Sequence, residues 1–184
     1  MAEFRHETQR LILRDWRERD WPEFWRGTNT PAVMRWLGGV LDEDGRARTR
    51  ERLESYARQH GHTFWAVEQR SDKAVLGFCG LKKCTSAGGP IGAMEAGWRL
   101  REDAWGQGFA SEAAIATLVL AFEKFEAEEV IALTVEGNSP SRNLMKRIGM
   151  VRREDLDFTE DHWSGEQRPA IVYSISRKQW ERSQ

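Results

Sequence analysis

The feature that most constrains the fold is a glycine-punctuated turn that leads straight into an apolar helix. The segment is Trp105-Gly106-Gln107-Gly108-Phe109-Ala110-Ser111-Glu112-Ala113. Two glycines one residue apart allow a tight turn and let the backbone approach a ligand without an intervening Cβ. The helix that follows presents unpaired N–H groups and the positive end of its dipole to that turn. The segment therefore predicts a cradle for an anion, of which phosphate is the usual example.

Length and charge limit the classes of protein to which the chain can belong. Its 184 residues suit one domain, residues 1–184, with a sizeable core. A net charge of −1 lacks the basic excess typical of nucleic-acid-binding domains. No apolar run is long enough for a membrane span, and the polar N-terminus has no apolar signal core. We therefore expect a cytoplasmic protein with neither nucleic acid nor membrane as a partner.

The two cysteines, Cys79 and Cys84, fall in one predicted strand. Their odd spacing points them to opposite faces of the sheet, which places them poorly for a disulfide. Two thiols without a nearby pair of histidines do not make a zinc site either. We predict buried thiols without a chemical role, and no metal.

The tryptophan content is high, with nine in the chain. Trp21, Phe24 and Trp25 fall at helical spacing, which predicts one apolar helix face packed in the core. The alternative is that Trp16, Trp25 or Trp36 lines a substrate cleft, since flat aromatic walls suit a small organic ligand.

Hydrophobic periodicity predicts a single α+β domain. We expect strands at about 10–14, 63–70, 74–83, 93–100, 130–135, 150–158 and 169–175. We expect helices at about 20–25, 43–59, 111–125 and 139–148. The strand at 93–100 leads into the glycine turn, and the strand at 130–135 leads into Asn138-x-x-Ser141 at a helix start. This pairing suggests two adjacent strands that splay apart and admit an extended ligand between their ends.

Other phosphate-binding motifs fit the glycine turn less well. A dinucleotide fingerprint requires a third glycine where Ser111 stands, and an early βαβ unit in place of apparent antiparallel hairpins. A Walker loop requires Gly-Lys-Ser/Thr, which is absent, and a protein kinase requires a much longer chain.

Four segments together resemble the GNAT superfamily of acyl-CoA N-acyltransferases, and within it the RimJ/RimL type. They are Thr8-Gln9-Arg10-Leu11-Ile12-Leu13-Arg14, Glu95-Ala96-Gly97-Trp98, the glycine turn, and Asn138-Ser139-Pro140-Ser141 with Arg147-Ile148-Gly149-Met150. The closing segment from Tyr173 to Trp180 also resembles that family's last strand. Trp98 and Met150 depart from the usual Tyr and Phe but keep an apolar surface.

The resemblance implies a fold and a reaction. The fold is a mixed, mostly antiparallel central sheet with helices on both faces, splayed between its fourth and fifth strands. The reaction moves an acetyl group from the cosubstrate acetyl-CoA to a primary amine, either a protein N-terminus or a small molecule. The amine attacks directly, without an acyl-enzyme. The alternative function is that of a non-catalytic acyl-CoA-binding sensor. Homodimers are common among proteins of the RimJ/RimL type, so a homodimer is possible here.

The resemblance also implies the residues that bind the cofactor. N–H groups of Gln107 to Ser111 hold the pyrophosphate. Main-chain groups of the splayed strand polarise the thioester oxygen, where negative charge develops. The residues that the resemblance implies for binding acetyl-CoA are Trp98, Arg99, Leu100, Trp105, Gly106, Gln107, Gly108, Phe109, Ala110, Ser111, Asn138 and Ser141.

Ser141 is implied as the group that protonates the leaving CoA thiolate, although serine is also ordinary in the first turn of a helix. Asn138 either caps that helix or hydrogen-bonds the pantetheine arm. Arg142 and Lys146 either meet the ribose phosphate of CoA or belong to a solvated helix face.

Glu95 is our first candidate for the base that takes the proton of the amine. Strand alternation places it on the same face as Gly97 and Arg99, near a partly buried cleft. A surface or salt-bridged glutamate is the alternative explanation, and Glu136 and Glu68 are rival bases.

An acidic turn near the C-terminus offers a further hypothesis. Its residues are Asp155, Asp157, Glu160 and Asp161, with His162 and Trp163 beside them. The turn either attracts a cationic acceptor or is a solvated hairpin tip.

Overall fold

The chain forms a nine-stranded sheet with helices on both faces, in a computed structural model that describes residues 3–161 and 167–183. The strands are β1 Arg5–Glu7, β2 Leu11–Arg14, β3 Phe64–Gln69, β4 Val75–Lys83, β5 Met94–Leu100, β6 Glu129–Thr134, β7 Val151–Arg152, β8 Phe158–Asp161 and β9 Gln167–Ser176. The helices are α1 Asp20–Thr28, α2 Pro31–Met34, α3 Glu43–His60, α4 Phe109–Val119, α5 Ser139–Arg147 and α6 Arg177–Ser183.

The sheet is antiparallel except where β5 meets β6. Its order is β1-β2-β3-β4-β5-β6-β9-β7, with β8 also paired to β9. The parallel pair is short, because only Met94 faces Val130 and Glu95 faces Ile131 before the two strands part. The prediction of a mostly antiparallel sheet with a splay is thus confirmed. The strands predicted as fourth and fifth are β5 and β6, since the short β1 precedes them.

The two faces of the sheet carry separate cores. Trp98 and Leu100 of β5 pack with α4 in the larger core. Arg99, one position away, lies on the opposite face with Phe24 of α1 and Phe78 of β4. This alternation is the one predicted from the sequence, and it gives the open edge of β5 two chemically different sides.

Both cysteines are buried free thiols on opposite faces of the sheet, as predicted. Burial raises the pKa of the Cys79 thiol to about 12, although its contact with the Thr117 hydroxyl works in the other direction. A thiol that stays protonated is a poor nucleophile.

Most of the early tryptophans belong to the core between α1 and the sheet. Trp16 stacks on Trp21 with ring centroids 4.2 Å apart, and Trp25 stacks on Trp21 at 5.9 Å. Trp36 is different, because it lies against Gly137 after β6, where a Cβ would come within 2.8 Å of its ring. Among these tryptophans, only Trp36 therefore touches the segment that leads from β6 to α5.

The segment predicted as one strand over 150–158 is instead broken. Within it only β7 and Phe158, the first residue of β8, are extended, and a 3-10 helix at Glu154–Leu156 turns the chain between them. Local ion pairs hold this turn, since Arg152 pairs with Asp157 and Arg153 with Asp155. Asp157 also accepts a hydrogen bond from the Val172 N–H, 3.1 Å away. Side-chain bonds to the neighbouring backbone thus compete with the strand that the hydrophobic pattern favours.

The helix predicted over 111–125 begins two residues earlier. Gly108, at φ +81°, is the residue before α4, and the last turn widens into a π-helix at Leu120–Lys124. Among the helices that the structure describes, none has the length and apolar character needed to cross a bilayer.

Candidate active site

The glycine turn forms a cradle of unsatisfied N–H groups at the start of α4. Gly106 has φ +71° and Gly108 φ +81°, so both occupy the left-handed region that favours glycine. No side chain caps α4, and its first backbone hydrogen bond is donated by Glu112 to the Gly108 carbonyl. Within residues 3–161 and 167–183, no group accepts a hydrogen bond from the N–H groups of Phe109 to Ser111. These donors, together with the helix dipole, make an anion site.

A carboxylate within α4 fixes this cradle to the start of β2. Glu112 accepts hydrogen bonds from the Thr8 hydroxyl at 2.6 Å and from the Arg10 N–H at 2.7 Å. Its second oxygen pairs with the Arg10 guanidinium at 2.7 Å. Arg10 in turn donates to the Gln107 carbonyl at 2.9 Å and lies over the Phe109 ring. The turn is therefore positioned by residues about 100 positions away in the chain.

Replacing Glu112 by glutamine is expected to destabilise the fold in a pH-dependent way. Burial raises the pKa of Glu112, but the bonds from Thr8 and Arg10 outweigh it and hold the pKa below its ordinary value. A lowered pKa in the folded state stabilises the protein above the unfolded-state pKa, and this gain is lost as the pH falls through the folded-state pKa. Urea unfolding of wild type and Glu112→Gln should therefore differ at pH 7, and the difference should shrink as the pH falls below the unfolded-state pKa of about 4.3. A difference that is constant with pH would contradict the role assigned to this ionised carboxylate.

A basic side chain from α5 lies beside the same helix start. Arg147 donates to the Ser111 hydroxyl at 3.4 Å. Arg142, which the sequence suggested for a CoA phosphate, turns instead to Glu136, with the ion-pair atoms 2.5 Å apart. Arg147 is thus the cation of α5 that the structure brings to the cradle. Sequence reasoning included Arg147 only as part of a motif and missed this contact.

The open edge of β5 offers main-chain groups to the space between β5 and β6, which we call the wedge. The Arg101 N–H donates a hydrogen bond to the Leu76 carbonyl of β4, and the Ala93 carbonyl accepts one from the Cys84 N–H. Main-chain groups point alternately to the two sides of a strand, so the N–H groups of the odd-numbered residues of β5 face β4. Those of Trp98 and Leu100 face the wedge, whereas the Arg99 N–H faces β4.

Two side chains between β5 and the cradle donate hydrogen bonds to backbone carbonyls. The Trp105 indole N–H donates to the Leu100 carbonyl at 3.0 Å, although about half of the side chain remains exposed. The Gln107 side chain donates to the Asp103 carbonyl at 2.7 Å. These bonds hold the edge of β5 and the cradle in one fixed arrangement.

Asn138 and Ser141 lie on the other side of the wedge, after β6. The Asn138 side chain accepts a hydrogen bond from the Ser141 N–H at 3.3 Å, so it caps α5. The Ser141 hydroxyl is half-buried in the first turn of α5, and it has no hydrogen bond to any residue that the structure describes. It is therefore able to bond a ligand.

The three candidate carboxylates lie in different surroundings. Glu95 is buried at the last pair of β5 with β6, where the wedge begins, and its carboxylate is 2.9 Å from the Lys82 ammonium. Glu68 is buried two strands away and pairs with Arg14, which also binds Asp20. Of the three, the structure brings only Glu95 to the apex of the wedge. Glu136 is exposed and paired with an arginine.

Two carboxylates of the acidic turn are neutralised by their neighbours. Asp155 and Asp157 each pair with an arginine, and these arginines hold the pKa of both carboxyls below the ordinary value. The side chains of Glu160 and Asp161, and residues His162 and Trp163, lie outside what the structure describes.

The chain is similar to known acetyltransferases in sequence and in fold. A family model of the acetyltransferase (GNAT) domain matches residues 10–151. The chain is 29% identical over 175 residues to the uncharacterized N-acetyltransferase YnaD of Bacillus subtilis (strain 168), covering 94% of this chain and 97% of that protein. A GNAT-family acetyltransferase structure from Bacillus anthracis superposes with a TM-score of 0.76 at 24% identity, covering 95% and 99% of the two chains. A ribosomal-protein-S5-alanine acetyltransferase structure from Vibrio fischeri gives a TM-score of 0.74 at 14% identity, covering 96% and 98%.

Proposed function

The chain belongs to the GNAT acetyltransferase family, and on that premise we propose that it transfers the acetyl group of acetyl-CoA to a primary amine. One observation carries the proposal. The uncapped N–H groups at the start of α4 and the open edge of β5 lie at the two ends of one rigid segment, beside a wedge that opens between β5 and β6. An extended ligand with a pyrophosphate at one end and a thioester further along matches that arrangement.

The residues around the wedge divide the task of holding acetyl-CoA. The first-turn N–H groups of α4 bind the pyrophosphate, and Arg147 adds a positive charge beside them. The Trp98 N–H, on the open edge of β5, donates to the thioester oxygen as negative charge develops there. Asn138 keeps the start of α5 in place and presents its amide to the pantetheine arm.

Two side chains handle the protons of the reaction. Glu95 takes a proton from the ammonium group of the acceptor, directly or through one water, and frees the lone pair that attacks the thioester carbon. Breakdown of the tetrahedral intermediate breaks the carbon–sulfur bond. Ser141 donates a proton to the departing CoA thiolate and takes in exchange the second proton that the attacking nitrogen loses, so that a neutral amide and free CoA are left. We propose that the attack is direct, as the family resemblance implies; the buried Cys79 thiol, whose pKa burial raises to about 12, is a poor nucleophile.

The class of acceptor that we propose rests on the type of GNAT enzyme that the chain resembles. The Thr8–Arg14 segment and the glycine turn resemble the RimJ/RimL type, and the likeness to the Vibrio fischeri structure supports the fold. We propose an amine on a protein N-terminus or on a small molecule, and a cytoplasmic site of action.

The test is release of free CoA from acetyl-CoA in the presence of an added amine. Peptides, polyamines, aminoglycosides and amino acids are each mixed with the protein, and the thiol is measured. Release that requires both protein and amine supports the enzyme. Tight binding of acetyl-CoA without release across the whole panel would instead identify an acyl-CoA-binding sensor.

A further inference from the structure

A buried arginine lies next to the wedge without an anionic partner in the part of the chain that the structure describes. Arg99 is 7% exposed, and its Nε and Nη2 atoms have no hydrogen-bond partner among the residues that the structure describes. Among the described residues, its one polar contact is from Nη1 to the Met34 sulfur at 3.1 Å. Burial, and to a smaller extent the positive charge of Arg52, lowers the pKa of Arg99 to about 9.

Aromatic rings surround this guanidinium but do not replace an anion. The Arg99 guanidinium carbon lies 4.7 Å from the ring centre of Phe24, 5.1 Å from Phe78 and 5.6 Å from Trp25. Such contacts attract a cation, yet each is far weaker than a paired, hydrogen-bonded carboxylate. A buried guanidinium normally has such a partner, because leaving a charge unpaired away from water is costly.

Arg14 shows how the same chain treats a buried arginine that belongs to the fold. The Arg14 guanidinium is 1% exposed and binds both oxygens of Asp20, at 2.6 and 2.9 Å, and one oxygen of Glu68 at 2.8 Å. Both arginines lie on the same face of the sheet. Arg99 thus lacks the two carboxylates that Arg14 has, and its donors are left for a ligand.

The position of Arg99 relates it to the acceptor and not to acetyl-CoA. Its side chain leaves β5 beyond the last pair with β6, on the face opposite the cradle and α4. Glu95 lies four residues earlier on that same face, with Gly97 between them. The ring of Phe64 covers Gly97, where a Cβ would come within 2.6 Å of it. A ligand on this face would therefore have the carboxylate of Glu95 on one side and the guanidinium of Arg99 on the other.

We propose that Arg99 binds a carboxylate on the acceptor, so that the protein acetylates small amines that also carry a carboxylate group. The acetylation of such an amine rests on the proposed function, whereas the carboxylate site at Arg99 does not. The planar guanidinium binds a carboxylate through two parallel hydrogen bonds, and its Nε and Nη2 donors are the pair that remains open.

Entry of a carboxylate requires only a local movement. The Met34 sulfur, a weak acceptor on a flexible side chain, lies at the guanidinium. The chain after Met34 carries Gly38 and Gly39, both at positive φ, and the exposed side chains of Leu37 and Val40. Because the Met34 side chain is flexible and Leu37 and Val40 are exposed, a shift of that side chain can admit a small ligand without unfolding α1.

The first experiment measures anion binding without any reaction. Glutarate is added at constant ionic strength, with glutaramide as the uncharged isostere, and the melting temperature is recorded. Glutarate should raise the Tm of wild type and not that of Arg99→Met. Arg99→Lys should show a smaller rise, because an ammonium group cannot form the two parallel hydrogen bonds of a guanidinium. Arg58→Met, which changes an exposed arginine of α3, should respond like wild type. Equal responses of wild type and Arg99→Met, including no response in either, would overturn the proposal.

The second experiment measures acceptor preference. Wild type should use 4-aminobutyrate at least about 10-fold better in kcat/KM than 4-aminobutanamide, since a hydrogen bond to a charged group discriminates by about that factor or more. Arg99→Met should abolish this preference. Its fold is checked by unfolding, where loss of an unpaired buried charge should not lower the Tm. A wild type without preference for the acid contradicts the proposal.

The two experiments separate this proposal from the proposed function. Arg99-dependent stabilisation by glutarate, without CoA release from any amine, would keep the carboxylate site and reject the transferase activity. Release of CoA with neutral amines, without a glutarate effect, would keep the activity and reject the carboxylate site.

Discussion

Replacing Glu95 by glutamine is expected to lower kcat by about 10²- to 10⁴-fold, the range typical of a lost general base. The amide keeps the shape of the side chain but cannot take the proton of the amine. The affinity for acetyl-CoA should stay unchanged, because the cradle at the start of α4 lies on the opposite face of the sheet from Glu95. Thiol release gives kcat, and calorimetric titration gives the Kd for acetyl-CoA.

Two sets of matched variants make this result specific. Glu136→Gln alters an exposed carboxylate near the end of β6, and it should keep wild-type kcat. Ser141→Ala should lower kcat, whereas Ser139→Ala, in the same helix turn but exposed, should not. If Glu95→Gln keeps its kcat while Glu136→Gln loses it, the base has been assigned to the wrong side of the wedge.

Replacing Gly106 by valine is expected to weaken acetyl-CoA binding by about 100-fold or more. Gly106 has φ +71°, and no protein atom lies within 4 Å of the position that an added Cβ would take, so the new side chain would fill the space of the ligand. It would also strain the turn that aims the N–H groups, since a β-branched residue at positive φ costs about 1–3 kcal/mol. Titration with acetyl-CoA measures the loss.

Gly61→Val is the control for this strain. Gly61 ends α3 at the same φ of +71°, and it too has no atom within 4 Å of an added Cβ. Both variants should therefore lose similar stability in urea unfolding, and only Gly106→Val should lose acetyl-CoA binding. A similar loss of affinity in both would mean that strain in the fold, and not the cradle, explains the effect.

The features that the sequence predicts depend on local signals. The alternation along β5 and the glycines before α4 each determine local structure within a few residues, so the splayed strand and the cradle were predictable. The cap of α5 by Asn138 was predictable for the same reason, since the asparagine stands next to the helix that it caps.

The features that the sequence does not predict depend on partner residues that are far away in the chain or missing. Arg10 and Glu112 are 102 positions apart, and no spacing in either motif indicates that they meet. Nor does the sequence show that Arg14 acquires two carboxylates while Arg99 acquires none among the described residues, because each is the single arginine of its strand. The broken strand after Met150 similarly depends on which aspartate each arginine pairs with.

Amide exchange followed residue by residue by NMR tests the central claim most directly, with and without acetyl-CoA. The claim is that acetyl-CoA binds in the wedge, with its pyrophosphate on the start of α4 and its thioester at β5. We predict slower exchange on binding at the N–H groups of Phe109, Ala110 and Ser111, and at that of Trp98. Binding of acetyl-CoA that leaves these four amides unchanged, and protects amides elsewhere, would contradict the claim.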